Sequence, residues 1–163
     1  MMRVVLVTGA NRGIGRELAR QLALRGDTVV LTARDLAKAE QAAAALPGHG
    51  HLLAKRLDVT DPASVEQVAA DLDRRYGRLD VLVNNAAIHY DTWQRASTAD
   101  LRVVREALEV NLLGAWQTSL TFLPLLGPAA TAASSMSPAR PGHWPAWTAD
   151  LRPITSPRRP STP

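Results

Sequence analysis

Thr8-Gly9-Ala10-Asn11-Arg12-Gly13-Ile14-Gly15 is the stretch that decides the fold. It follows a short β-branched run, Arg3 to Thr8, that reads as a buried strand. It precedes a segment carrying Ile14, Leu18, Leu22 and Leu24 at helical spacing. Glycines between a strand and a helix let the backbone turn tightly and approach a pyrophosphate. The helix start behind them offers unpaired N–H groups and the positive end of its dipole. A lone glycine pattern carries little weight, but this one has the strand before it and the helix after it that such a turn requires.

The same alternation continues outward. Gly26 follows the first helix as its stop, and Thr28 to Thr32 is a second strand. Leu36 to Leu46 is alanine-rich and helical until Pro47-Gly48, and His51 to Leu57 is a weaker third strand. Asp61-Pro62 is an N-cap followed by proline at the first helical position. Val65, Val68, Ala69 and Leu72 form that helix's inner face, and Gly77 ends it. Asp80 to Val83 is a fourth strand, and a long helix runs from about Asp100 to Leu123. Near-continuous apolar strands alternating with helices predict an α/β fold of Rossmann type, a doubly wound parallel sheet with strand order 3-2-1-4.

Composition sets the outer bounds. At 46% hydrophobic residues the chain can bury a core, and the absence of cysteine excludes disulfides and thiolate metal sites. The four histidines have no metal-like spacing with carboxylates, so no metal site is expected. No apolar stretch is long enough to span a bilayer, and a soluble cytoplasmic protein is the expectation. The net charge of +4 is concentrated at one end. Residues 1–127 hold 15 Lys/Arg against 14 Asp/Glu, whereas residues 128–163 hold four arginines and one aspartate. A nearly balanced body offers no cationic face to follow nucleic acid. Eight of the eleven prolines lie in those last 36 residues, where neither helical nor strand periodicity survives. The expected organisation is therefore a dinucleotide-binding half-domain over 1–127, with its later strands missing, and an irregular Pro/Arg-rich tail over 128–163.

The T-G-x-x-x-G-x-G spacing resembles that of the short-chain dehydrogenase/reductase family. Three further stretches are similar to family motifs in the same order: Leu57-Asp58-Val59-Thr60, Asp80-Val81-Leu82-Val83-Asn84-Asn85-Ala86-Ala87, and Val110-Asn111-Leu112. The resemblance covers Arg3 to about Leu126 and looks most like the carbonyl-reductase branch. It implies cofactor-binding roles for Gly9, Asn11, Arg12, Gly13, Ile14, Gly15, Asp58, Val59, Asn84 and Ala86. It also implies that Asn111 helps organise a proton-relay water. Alanine at position 87, where the family usually has glycine, is a mild departure. Cofactor choice is argued physically. An acid at the end of the second strand would bind the 2′-OH of NAD, but Ala33 stands there with Arg34 beside it, and Arg12 lies within the glycine turn. Two guanidiniums suit a 2′-phosphate, so NADP(H) is expected over NAD(H).

The resemblance also implies a Ser after a fifth strand and a downstream Y-x-x-x-K, in which the lysine lowers the phenol pKa for proton transfer. The only tyrosines are Tyr76 and Tyr90 and the only lysines Lys38 and Lys55, none at the required place. As written, the chain is expected to be an inactive relative of an NADP(H)-dependent reductase of small carbonyls. Two alternatives are a non-catalytic dinucleotide-binding module and an interaction protein using the basic tail. The family usually forms a dimer or tetramer through the long helix and another after a sixth strand; only the long helix is read in this sequence, which leaves uncovered helix faces open to aggregation. The tail has a second reading. One nucleotide earlier, the codons of Ala132 to Ala139 can be decoded as R-I-V-N-V-S-S, and those of Pro153 to Pro163 as Y-x-V-S-K-A-A-L-N-A. The expectation is a single-nucleotide shift near codons 124–131, with the tail out of frame.

Overall fold

The structure is a computed structural model that describes residues 2–47, 51–88 and 95–134, the last seven through their backbone alone. Four short strands alternate with helices: β1 (Val4–Val7), α1 (Gly13–Leu24), β2 (Thr28–Ala33), α2 (Leu36–Ala44), β3 (Leu52–Arg56), α3 (Pro62–Tyr76) and β4 (Leu79–Asn84). A long helix follows in three parts, α4 (Leu101–Leu108), a π-helical segment (Glu109–Gly114) and α5 (Ala115–Phe122). All strands pair in parallel, in the order β3-β2-β1-β4 that the sequence predicts.

Both faces of the sheet are buried, which is why its strands are apolar runs with no polar alternation. Along β1, Val4 and Leu6 face one core with Val30, Val65, Leu72, Leu82 and Phe122. Val5 and Val7 face the other, with Ala19, Ala23, Leu31, Ala39 and Val83. The second core is alanine-rich on its helical side, so α1 and α2 lie close against the sheet.

The starts of the central strands are fixed electrostatically. Arg3 donates two bonds to Asp27, at 3.0 and 2.6 Å, joining the start of β1 to that of β2. Asp80 accepts the Val4 N–H at 2.7 Å and pairs with Arg78. The Arg3 bonds hold the Asp27 carboxyl below its usual range. A carboxylate whose pKa is depressed in the folded state contributes stability above its unfolded pKa. That contribution is lost as pH falls through the folded value. Stability is therefore expected to decline from about pH 4 downward, and Asp27→Asn should flatten that decline in denaturant titrations at pH 3 and pH 7. At pH 7 the substitution should cost about 1–3 kcal/mol.

The sheet continues past β4. A fifth strand, β5 (Leu126–Ser134), pairs in parallel with β4, with Val83 opposite Ala133 and Asn84 opposite Ser134. The strand runs across residue 127 and covers that side of β4. Sequence pattern missed it because Gly127-Pro128-Ala129-Ala130 has no strand signature. Those residues sit in a register irregularity, where Leu79 faces Leu126 but Val81 faces Thr131. Bulges are where a strand accommodates a proline that cannot donate to the ladder. The rest of the tail, residues 135–163, lies outside the described residues.

Along α1, Ile14 and Leu24 are 76% and 42% exposed, while Leu22 is buried. The last turn of the long helix and the rest of its outer side also expose large apolar side chains: Leu101, Leu108, Leu112, Trp116, Leu120 and Leu123.

Candidate dinucleotide cleft

The strands β1, β2 and β4 deliver their C-terminal ends to one rim, where the connections leave in opposite directions. Such a switch point is where open α/β sheets form clefts. Here the cleft measures about 1060 Å³ and is lined by the glycine turn, Ala33-Arg34-Asp35, Lys38, Leu57-Asp58-Val59, Asn85 to Ile88, and Val110.

The glycine turn is tied to both neighbouring strands. Thr8, 1% exposed, accepts the N–H groups of Asn85 and Ala86 on its hydroxyl at 2.9 and 3.0 Å. The Asn85 amide donates back to the carbonyls of Thr8 and Gly9, at 2.9 and 3.1 Å. On the other side the Ala10 N–H reaches the Thr32 carbonyl at 2.8 Å. Two glycines are required by contact. A Cβ on Gly9, which has φ +62°, would lie 2.8 Å from the Ala86 Cα, and one on Gly15 would lie 2.3 Å from the Asn85 amide nitrogen. Gly13 has φ +57° but open space around it.

The start of α1 differs from the other helix starts. Asp35, Asp61 and Asp100 cap α2, α3 and α4, each accepting backbone N–H groups of the first turn. The N-cap of α1 is Arg12, whose side chain makes no capping bond. The first N–H groups of α1 thus open on the cleft without a partner from their own cap. Arg12, Arg34 and Lys38 are exposed along the same wall. Among the described residues none of the three forms an ion pair. The neighbouring Asp35 is engaged in capping, its Oδ1 accepting from Ala37 at 3.0 Å. The opposite wall is apolar, with Leu57, Val59, Val110 and Ile88. A cationic, amide-lined end beside an apolar slot fits a dinucleotide's phosphates and rings.

The residues singled out by sequence separate into two groups. Gly9, Asn11, Arg12, Gly13, Ile14, Arg34, Asp58, Val59 and Ala86 line the cleft. Gly15 and Asn84 stand behind it. Gly15 packs on Asn85, and the Asn84 amide donates to Ser119 at 2.9 Å, tying β4 to α5. Asp58 lines the cleft and also closes its own turn, its Oδ1 accepting from the Thr60 N–H and hydroxyl. Asn111 sits in the π-helical segment, a geometry frequent at functional sites. Its amide grips the Ile88 backbone from both sides, accepting the N–H at 2.9 Å and donating to the carbonyl at 3.0 Å. Three residues further on, Gly114 lets the long helix rest on Val59, since a Cβ there would lie 2.7 Å from a Val59 methyl. Sequence reasoning missed Asn85 and Lys38. Lys38 lies in the first turn of α2, four residues after Arg34, and that nearness of two cations was available as a signal.

Lys55 pairs with Asp71 at 2.9 Å, and Tyr76 lies at the end of α3 with Arg75 over its ring. Among the described residues no tyrosine lines the cleft. Tyr90 and His89 lie outside the described residues. Among the described residues no group of His, Cys, Asp or Glu could hold a metal ion, and no helix is long and apolar enough to cross a membrane.

The family profile described as short chain dehydrogenase matches residues 3–135. The chain belongs to the short-chain dehydrogenase family. Carbonyl reductase [NADPH] 1 of Sus scrofa is 42% identical over 134 residues, covering 77% of this chain and 44% of that protein. The (+)-neomenthol dehydrogenase of Arabidopsis thaliana is 36% identical over 145 residues, covering 76% and 49%. Among solved structures, an alcohol dehydrogenase from the archaeon Thermococcus sibiricus complexed with 5-hydroxy-NADP superposes with a TM-score of 0.75 at 35% identity. That match covers 82% of this chain and 57% of the archaeal one. This short-chain dehydrogenase chain spans about half the length of the curated relatives it matches.

Proposed function

We propose that the chain is the dinucleotide-binding half of an NADP(H)-dependent reductase of small carbonyls, and that as written it binds NADP(H) without turning it over. The observation that carries this reading is the uncapped start of α1 facing Arg12, Arg34 and Lys38. The backbone amides of α1 would take the pyrophosphate. The cations at the end of β2 and the start of α2 would take the 2′-phosphate, which Ala33 leaves unopposed. Asp58 and Val59 would receive the adenine. The nicotinamide, when bound, supplies or accepts a hydride. The chain's contribution at that end is Asn111, which fixes Ile88 and so the wall leaving β4. Relatives named carbonyl reductase and an NADP-type ligand in a similar structure support the assignment. A cytoplasmic, nucleic-acid-free setting remains part of this reading.

Titration of the folded chain with NADPH, followed through nicotinamide fluorescence, is expected to saturate. A panel of small ketones and quinones should give no NADPH consumption above background. Absence of saturable binding by protein with native circular dichroism would overturn the reading. The interaction-protein alternative rests on tail residues outside those described. The exposed stripe on α4 and α5 is the proposed seat of self-association between copies of the chain, since contiguous apolar surface of this kind is normally covered. Trp116, 61% exposed, is at its centre. Trp116→Glu is expected to shift sedimentation toward the monomer without altering NADPH binding.

A further inference from the structure

We infer that the codons of residues 132–163 carry, one nucleotide earlier, the remainder of this same fold: the strand that belongs beside β4, and a tyrosine and a lysine four positions apart beyond it. The functional role of that pair rests on the reductase reading above; the frame itself does not.

The sheet supplies the first ground. β1 and β2 are buried β-branched and leucine runs, and in β4 Leu82 and Val83 are 0% and 7% exposed. The strand beside β4 reads Leu126-Gly127-Pro128-Ala129-Ala130-Thr131-Ala132-Ala133-Ser134, with one β-branched residue and a broken register at its start. Such a composition is depleted in strands. The earlier frame supplies I, V and V within R-I-V-N-V-S-S, the kind of run its neighbours have. Because β5 runs parallel to β4, a strand in that place ends on the cleft rim, where β4 delivers Asn85 and Ala86. Its two closing serines would arrive there.

The genetic code supplies the second ground. Met136 has a single codon, so the earlier frame there can read only Asn, Asp, His or Tyr, and the next position only Val or Glu. The reading N-V satisfies both. The tyrosine codon straddles Pro153 and Ile154, and the lysine codon straddles Pro157 and Arg158. Four-residue spacing on a helix sets two side chains on one face, and an ammonium beside a phenol favours its ionised form. A stop in the earlier frame can arise at only a few places. One is Asp150, if the Ala149 codon ends in T; the others are serines or arginines spelled AG- after a codon ending in T.

Sequencing the gene from codon 124 to codon 163 tests the inference. The earlier frame is expected to be open through the Pro157–Arg158 boundary and to spell tyrosine and lysine at the two positions given. A stop before that boundary, or any other residue at either position, overturns the inference whatever the protein binds. A second arm inserts one nucleotide between codons 124 and 131 and expresses the repaired chain. NADPH oxidation with menadione as the probe is expected to exceed that of the chain as written by about 100-fold or more. An open frame whose product binds NADPH but reduces no carbonyl would overturn the paired role of the tyrosine and lysine. A product that does not bind NADPH would instead overturn the reductase reading.

Discussion

Gly9→Ala is expected to abolish measurable NADPH binding and to destabilise the chain by about 2–4 kcal/mol. Two costs combine. The position has φ +62°, and a Cβ there would lie 2.8 Å from the Ala86 Cα. The left-handed conformation alone costs a non-glycine residue about 1–2 kcal/mol. The contact cannot be relieved by a rotamer change, because it is made to backbone. That backbone is held by the Thr8 hydroxyl at Asn85 and Ala86. The turn must therefore pull away from β4, displacing the start of α1 from the cleft. Gly13→Ala is the internal control. It has nearly the same φ, +57°, with nothing within 4 Å of the added carbon. It should cost about 1–2 kcal/mol and leave binding measurable. Urea unfolding with parallel NADPH titration separates the two variants, and equal losses would show that the contact with Ala86 is not what excludes a side chain.

Arg34→Asp is expected to lower the NADPH-to-NADH affinity ratio by about 100-fold. The charge-assisted bonds to a 2′-phosphate are lost, and a carboxylate now opposes it. NADH should gain or hold affinity, since an acid near the end of β2 suits the free ribose hydroxyl. Arg34→Ala should give the loss without the gain. Lys38→Ala, in the first turn of α2, should lower NADPH affinity by a smaller factor, because a flexible ammonium is a point charge and not a planar fork. An unchanged ratio in Arg34→Asp would move the seat of preference away from this wall.

Most of the scaffold could be read in the sequence because its signals are local. The strands are short runs with both faces apolar, and Asp61-Pro62 and Gly77 mark the ends of α3 by cap chemistry that needs no tertiary context. Features set by distant contacts were not legible. Ile14 keeps helical spacing with Leu18 and Leu22, yet it occupies the first turn of α1, which opens on the cleft. Asn85 matters because the fold brings the glycine turn within reach of its amide, and nothing in its neighbours says so. The pairing of β5 is a backbone property of β4's free side, and an alanine-rich segment accepts it without a side-chain pattern. Asn84 shows the opposite case, since its motif pointed to the cleft and its side chain turned to Ser119.

The missing cap on α1 reaches beyond affinity. Asp35, Asp61 and Asp100 let three helices close their first turns from within the chain, whereas the first turn of α1 must recruit its partner from solution. A dinucleotide at 100 times its dissociation constant would add about 2.7 kcal/mol to the folded state. For a chain whose degradation tracks its unfolded population, that shift lengthens lifetime in the cell. The amount of this protein would then follow the supply of its ligand, rising and falling with the dinucleotide pool at constant synthesis.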